Sequence, residues 1–353
     1  MSVYLINIAL LILGYFFWVS ATDSKRGKLY FCVQATIQWI LISGLRGLSV
    51  GADTARYEYL FFDAQATTWK ECFYEFADWF NGVNSVKDPG YTLFQKLFQV
   101  FSTDYQLFLV FIAIIFTVPM GVWIYRNSEN PLLSFIIFSC LFYSFFAITG
   151  IRQTIVTGIM VFIGSELLKK KRYVLYYLLL LILIPIHKSV IALAIVPFIR
   201  TIKVTGLTVF VYTALIVFAY FFRTQLMSVL SGIVGYSEYD KFYEGAGAST
   251  FAILYYALTA LGIVIFTLIN KKGKDCVLSL NMVVVGAVLL PLTFINQSAM
   301  RAVQYFSVYL MLYVPSIINM FKGKERTFVN VVAVVLLVAL LILNNPSYTF
   351  FWE

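Results

Sequence analysis

Three stretches set charged side chains directly against apolar runs. In GLRGLSVGADTARYEY (Gly44 to Tyr59), Arg46, Asp53, Arg56 and Tyr57 follow a hydrophobic segment. In TGIRQT (Thr149 to Thr154), Arg152 and Gln153 fall in the first turn of an expected helix, and NQSAMRAVQYF repeats the arrangement around Arg301. A guanidinium keeps its charge at every accessible pH and presents a planar fork that matches two phosphate oxygens at once. Cations are disfavoured at a helix N-terminus, so Arg152 calls for an anionic partner or ligand, and backbone amides at such starts would add to an anion site. A buried ion pair with Asp53 or Glu58 is the competing explanation. A fourth stretch, PIHKSV, holds the chain's one histidine, His187, followed by Lys188. A titratable imidazole at membrane depth is costly and points to function by default. The structural alternative is a hydrogen bond across a helix hairpin. With one histidine and four scattered cysteines, neither a multi-histidine metal centre nor a disulfide framework is indicated, and no metal or cofactor is expected.

The elements that must hold these residues are membrane helices. Of 353 residues, 61% are hydrophobic and only 12% charged, which excludes a water-soluble domain with a polar surface. Apolar runs long enough to cross about 30 Å of hydrocarbon recur along the chain. No alternating ten-residue strands appear, which excludes a β-barrel. The fold class is therefore an all-α polytopic membrane protein, a single integral domain over 1–353. About twelve spans are expected, near 3–20, 29–45, 105–125, 132–149, 151–168, 173–186, 189–199, 205–222, 250–270, 276–295, 300–321 and 327–344. The first run lacks a basic leader and a small-residue cleavage site, so a retained helix is expected there rather than a signal peptide.

Alternate connections are strongly basic, from Lys25, Arg26 and Lys28 through Lys169 to Arg172 to Lys322, Lys324 and Arg326. Together they hold 16 of the 26 basic residues against five of the 17 acids. The positive-inside rule makes them cytoplasmic and puts both termini outside. Arg46, Arg56, Arg152, His187, Lys188, Arg223 and Arg301 then lie on the outer side, where an anionic ligand at the outer leaflet would account for them. The outer loop 46–104 is expected to form amphipathic helices on the membrane, with Leu60, Phe61, Trp69, Phe73, Phe76, Trp79 and Phe80 facing the interface. Within it, DPGYTLF reads as a helix start with Asp88 as N-cap and Pro89 at the first helical position. The second outer loop, 223–249, carries YSEYDKFYEGAGAS, whose tyrosines and acids suit sugar faces and hydroxyls as well as a gating loop. Two short helices between Arg172 and Arg200 would set His187 below the outer hydrocarbon boundary.

No nucleotide-binding glycine loop, nucleophile elbow or zincin motif is present. The ordered set GLRGLSVGADTARYEYLF, DPGYTLF, GIRQ, IHKSVI and MRAVQYF resembles the EpsG family, which belongs with the Wzy-type polymerases of bacterial polysaccharide. The resemblance implies a C-type glycosyltransferase-like protein of the inner membrane. Its activity would join oligosaccharide repeat units hanging from undecaprenyl pyrophosphate, on the periplasmic or outer side. Arg46, Arg56, Arg152, Gln153, Arg301, Tyr57 and Lys188 would bind diphosphate and glycan, and His187 or Asp53 would act as the base. The bilayer, a chain-length regulator and a flippase are the expected partners; nucleic acid is not. A flippase or exporter, a ligase using the same donor, and a membrane O-acyltransferase are the alternatives. The absence of charges at mid-depth speaks against a flippase path, and IPIHKSVI lacks the acid pairing an acyltransferase would need.

Overall fold

The computed structural model describes residues 1–20, 25–83, 87–234, 250–268 and 274–353. Among them the architecture is helical, and the one β pairing is an isolated antiparallel bridge between Arg46 and Phe350. The chain divides into two compact units, Met1–Ile191 with Val331–Glu353, and Ala192–Asn330.

The first unit contains α1 (Ser2–Tyr15), α2 (Lys25–Gly44), α3 (Thr54–Ala66), α4 (Trp69–Phe80), α5 (Pro89–Gln99) and α6 (Tyr105–Asn127). It continues with α7 (Pro131–Ile137), extended by a π-helix to Ile148, then α8 (Ile151–Ile159), which passes through a π-helical turn into α9 (Ser165–Lys169). Helix α10 (Tyr173–Leu183) and a 3₁₀ stretch starting at Lys188 follow. The second unit holds α11 (Val196–Ile199), α12 (Gly206–Phe221), α13 (Arg223–Val234), α14 (Thr250–Leu268), α15 (Lys274–Leu289), α16 (Met300–Ser307) and α17 (Leu310–Ile318). Buried Asn281 ties it together, accepting from the Tyr212 hydroxyl at 2.8 Å and donating to the carbonyls of Ile199 and Ile202 at 2.9 Å. Helix α18 (Gly323–Asn344) leads back into the first unit.

Seven helical segments among the described residues are long and apolar enough to cross a membrane: Ser2–Val19, Tyr105–Asn127, Pro131–Ile148, Ile151–Lys169, Thr250–Thr267, Cys276–Phe294 and Gly323–Asn344. Counting α12 with α13, which are bent by 84° at their junction, the number is eight rather than the expected twelve. The remaining expected spans are helical, with physical reasons for falling short. Helix α2 carries Lys28, Gln34 and Gln38 along its length, α10 has only 11 residues, and the 300–321 run is split between α16 and α17.

Within the first unit, charge sorts to opposite ends of the bundle. The Lys28 ammonium donates to the Ser128 carbonyl at 2.9 Å, Lys169 to Asn127 Oδ1 at 2.6 Å, and Arg126 pairs with Glu166 at 3.4 Å. Helix α6 separates this basic end from the segments that carry Arg46, Asp88 and Arg152. Its 23 residues rise about 34 Å.

The segment 46–104 folds into three helices. Tyr57 and Phe61 of α3, Tyr91 of α5, Tyr105, Phe108, Leu109 and Ile112 of α6, and Ile151 and Ile155 of α8 form one buried cluster. Phe61, expected at the membrane interface, sits at its centre with no exposed surface, and its ring centroid lies 4.9 Å from that of Phe108. Trp69, Phe73 and Phe80 of α4 are exposed. A capping box between Thr68 and Glu71 starts α4 where the sequence turns from α3. The aromatic cluster is what fixes α3 and α5 against the starts of α6 and α8, where the charged residues stand.

Candidate functional site

The segment DPGY docks onto PIHK through backbone contact. The Gly90 amide donates to the Pro185 carbonyl at 3.0 Å, and a Cβ at position 90 would sit 2.9 Å from the Pro185 carbonyl carbon. Only glycine allows that approach. Pro89 occupies the first turn of α5 as expected, but Asp88 does not cap the helix. Its backbone is left-handed (φ 51°, ψ 57°) and its side chain makes no capping bond. The carboxylate is turned instead toward α8 and the hairpin that carries His187.

Asp88 Oδ2 accepts from Arg152 Nη1 at 2.5 Å, and the same oxygen lies 3.9 Å from His187 Nδ1. The latter is an ion-pair distance, longer than a hydrogen bond. The Asp88 side chain is 4% exposed and that of Arg152 24%. Arg152 is therefore paired with Asp88, which corrects the expectation of Asp53 or Glu58 as its partner. Gly150, left-handed at φ 64°, turns the chain from the π-helix into α8 and brings Arg152 to the first turn. Tyr57 and Tyr91 enclose the guanidinium. Its Cζ is 5.8 Å from each ring centroid, and Nε lies 3.5 Å from the Tyr57 hydroxyl. The two rings meet edge to face at 5.7 Å. Such enclosure favours a cation over an aromatic face while stripping it of water.

Burial alone would raise the Asp88 pKa, but His187 and the Arg152 charge outweigh it and hold the carboxyl below the usual range. Burial pushes the Tyr91 phenol well above its ordinary value, so it stays neutral. The cluster thus presents an ionised carboxylate shared between a guanidinium and an imidazole, walled by two tyrosines.

Arg46 is placed differently from the outward clamp that the sequence suggests. It is 2% exposed, and Nη1 donates to the carbonyls of Ser43 and Ala147. Nε is buried without a hydrogen-bond partner among the described residues. Residues after α18 cover it: Gly47 donates to the Thr349 carbonyl at 2.9 Å, Phe351 to the Leu45 carbonyl at 3.0 Å, and the Tyr348 hydroxyl to the Ile42 carbonyl at 2.9 Å. Burial pulls the Arg46 pKa down to about 10, against the opposing pull of Tyr105, Tyr348, Tyr4 and Tyr91. It remains a cation at neutral pH.

Asp53 is half-buried at the start of α3 with no side-chain cap, Arg56 is exposed, and neither forms an ion pair among the described residues. Lys188 lies over the Trp79 ring at 5.6 Å, which draws α4 toward the His187 hairpin. Gln153 is buried next to Arg152 in α8. Arg301 is exposed at the start of α16 in the second unit. Arg223 opens α13, and the tyrosine-rich stretch 236–249 lies outside the described residues. No three His, Cys, Asp or Glu side chains gather among the described residues in a way that could hold a metal ion.

The structure thus brings Tyr57, Arg152, His187 and Lys188 into one neighbourhood and adds two residues that the sequence reading did not place there, Asp88 and Tyr91. Asp-Pro-Gly reads as a helix start, and that local signal concealed the carboxylate's distant partner.

A protein-family model described as the EpsG family matches residues 28–352, nearly the whole chain. No curated protein and no solved structure matches it.

Proposed function

This chain belongs to the EpsG family, a Wzy-like polymerase family, and from that premise we propose that it joins oligosaccharide repeat units carried on undecaprenyl pyrophosphate into a surface polysaccharide. The reaction takes place on the outer side of the cytoplasmic membrane, with both termini on that side. The observation that carries the reading is the Asp88, Arg152 and His187 cluster, set at the end of the bundle opposite the lysine-rich one.

The transfer breaks the bond between the donor's anomeric carbon and the diphosphate oxygen and forms a glycosidic bond to a hydroxyl of the second lipid-linked unit. The bonding pair leaves with undecaprenyl diphosphate, so no nucleotide is consumed. The hydroxyl's proton passes to His187, since a sugar hydroxyl is a poor nucleophile until a base accepts that proton. His187 suits this role better than Asp53 because it is buried beside a carboxylate and a guanidinium, whereas Asp53 is half-exposed without an ion partner. Arg152 is assigned to the diphosphate, where a cation stabilises charge developing on the leaving group; for Arg301, in the other unit, an anion-binding role is proposed by itself. Tyr57, Lys188, Gln153 and Arg56 are assigned to diphosphate and glycan contacts. Arg46, shielded by residues 347–351, is assigned to holding that segment in place.

The test is reconstitution of the purified protein with lipid-linked repeat units, without nucleotide or metal, and separation of the products by chain length. Wild type is expected to give a ladder of polymer and His187→Ala none. Substrate crossing the bilayer without a ladder would replace the polymerase with a flippase. Full activity in both Arg152→Lys and Arg301→Lys would remove the diphosphate role, because a lysine cannot reproduce the guanidinium fork.

A further inference from the structure

Asp88 stands where no capping role holds it, and its placement is fixed twice. The Gly90 amide bonds to Pro185, two residues before His187, and Oδ2 is held by Arg152. Both contacts direct one oxygen toward the Nδ1 side of the imidazole. The charged and phenolic groups gathered here are Asp88, which faces the ring, Arg152 from α8 on the same carboxylate, Tyr57 from α3 and Tyr91 from α5 against that guanidinium, and Lys188 next to His187 in the chain. Arg152 and Lys188 are cations, and both tyrosines are phenols. Asp88 is thus the one anion in this set.

An imidazole between cations loses basicity, and a ring free to choose its tautomer offers the lone pair at either nitrogen. A carboxylate on one nitrogen answers both problems: it favours the proton on that nitrogen and leaves the other as the acceptor. We propose that Asp88 is a positioning residue for the transfer reaction, holding His187 with Nδ1 protonated and turned toward Oδ2, so that Nε2 is the atom that takes the acceptor hydroxyl's proton. The role requires the 3.9 Å separation to close when substrate binds, as catalytic hydrogen bonds commonly tighten only in the complex. The inference rests on the polymerase reading for the identity of the proton donor; the tautomer and its cause rest on the geometry alone.

Because the chain has one histidine, the test is direct. Protein labelled with nitrogen-15 histidine, purified through a histidine-free tag and placed in lipid nanodiscs, gives a single pair of ring nitrogen signals. The expected result is a neutral imidazole with Nδ1 protonated and Nε2 bare. In Asp88→Asn the titration midpoint should fall by about 1 to 3 pH units, with part of the fall restored in Asp88→Glu. A wild-type imidazole protonated on Nε2 overturns the proposal, and that measurement needs no variant to fold. An unchanged midpoint in folded Asp88→Asn overturns it as well.

In the polymer assay, Asp88→Asn should lower kcat by about 10²- to 10⁴-fold, the range for losing a general base or the carboxylate that orients it. The acid limb of its pH profile should follow the shifted midpoint, which a merely structural loss would not produce. A protein with the stated tautomer and midpoint shift but no polymer would support the positioning role and overturn the polymerase reading alone.

Discussion

The Asp88–Arg152 pair yields a stability measurement whose size follows from its geometry. The atoms meet at 2.5 Å, with the carboxylate 4% and the guanidinium 24% exposed. Taking the charge centres roughly 4 Å apart in an effective dielectric of about 20, their attraction is about 4 kcal/mol. Withdrawing both groups from water offsets part of it, and the partly exposed guanidinium recovers some solvent if its partner is lost. Asp88→Asn should therefore destabilise the protein by about 2 to 3 kcal/mol, at or below the roughly 3 to 5 kcal/mol for stranding one member of a fully buried pair, because the guanidinium is partly exposed. Arg152→Met should cost a similar amount by leaving the carboxylate uncompensated. The double variant strands neither charge and should fall short of the sum by about 1 to 3 kcal/mol. Unfolding of all four proteins in one detergent mixture measures the cycle. Additivity within about 0.5 kcal/mol would show that the two groups do not depend on each other, and would refute the argument that Arg152 is held by Asp88.

Gly90→Ala places a methyl group 2.9 Å from the Pro185 carbonyl carbon and should cost about 1 to 3 kcal/mol, with loss of polymer exceeding the loss of folded protein, as compared by activity per folded molecule. The depressed pKa of Asp88 gives stability that is complete above its unfolded value near about 4 and is lost as pH falls through the lower folded value. Acid unfolding of wild type should therefore steepen below about pH 4, and Asp88→Asn should lack that component. Removing residues 346–353 uncovers Arg46 and should lower the melting temperature. In that shortened chain Arg46→Met should recover stability, because a well-packed apolar side chain can replace a stranded charge at little cost.

The helical, membrane-spanning character of the chain was legible because hydropathy is a local property, and so was the family resemblance. The number of spans was less so. A run such as 173–186 shows its apolarity but not that the helix ends at Leu183, while Gln34 and Gln38 dilute α2 without interrupting its pattern. At the site, the types of Arg152, Tyr57 and His187 announced themselves. Their pairing did not, since Asp88 meets Arg152 across 64 residues of chain, where α3 and α5 pack on α6. Asp-Pro-Gly obeys the local rule for a helix start, and the tertiary contact with the His187 hairpin overrides the capping role of its first residue. Arg46 misled for the same reason. Next to an apolar run it looks like a residue at the water boundary, and the segment that encloses it lies about 300 residues away.

That separation has a bearing on synthesis. The bond from Tyr348 to Ile42 closes 306 residues of chain, and the cover over Arg46 cannot form until the ribosome has passed residue 351. Helix α2 and Arg46 at its end are made long before that, with no shield in place. Every nascent chain therefore passes through a period in which this guanidinium lacks the cover that residues 348–351 supply. A molecule arrested short of residue 348 keeps that open charge, a local mark that separates it from one whose synthesis has gone further.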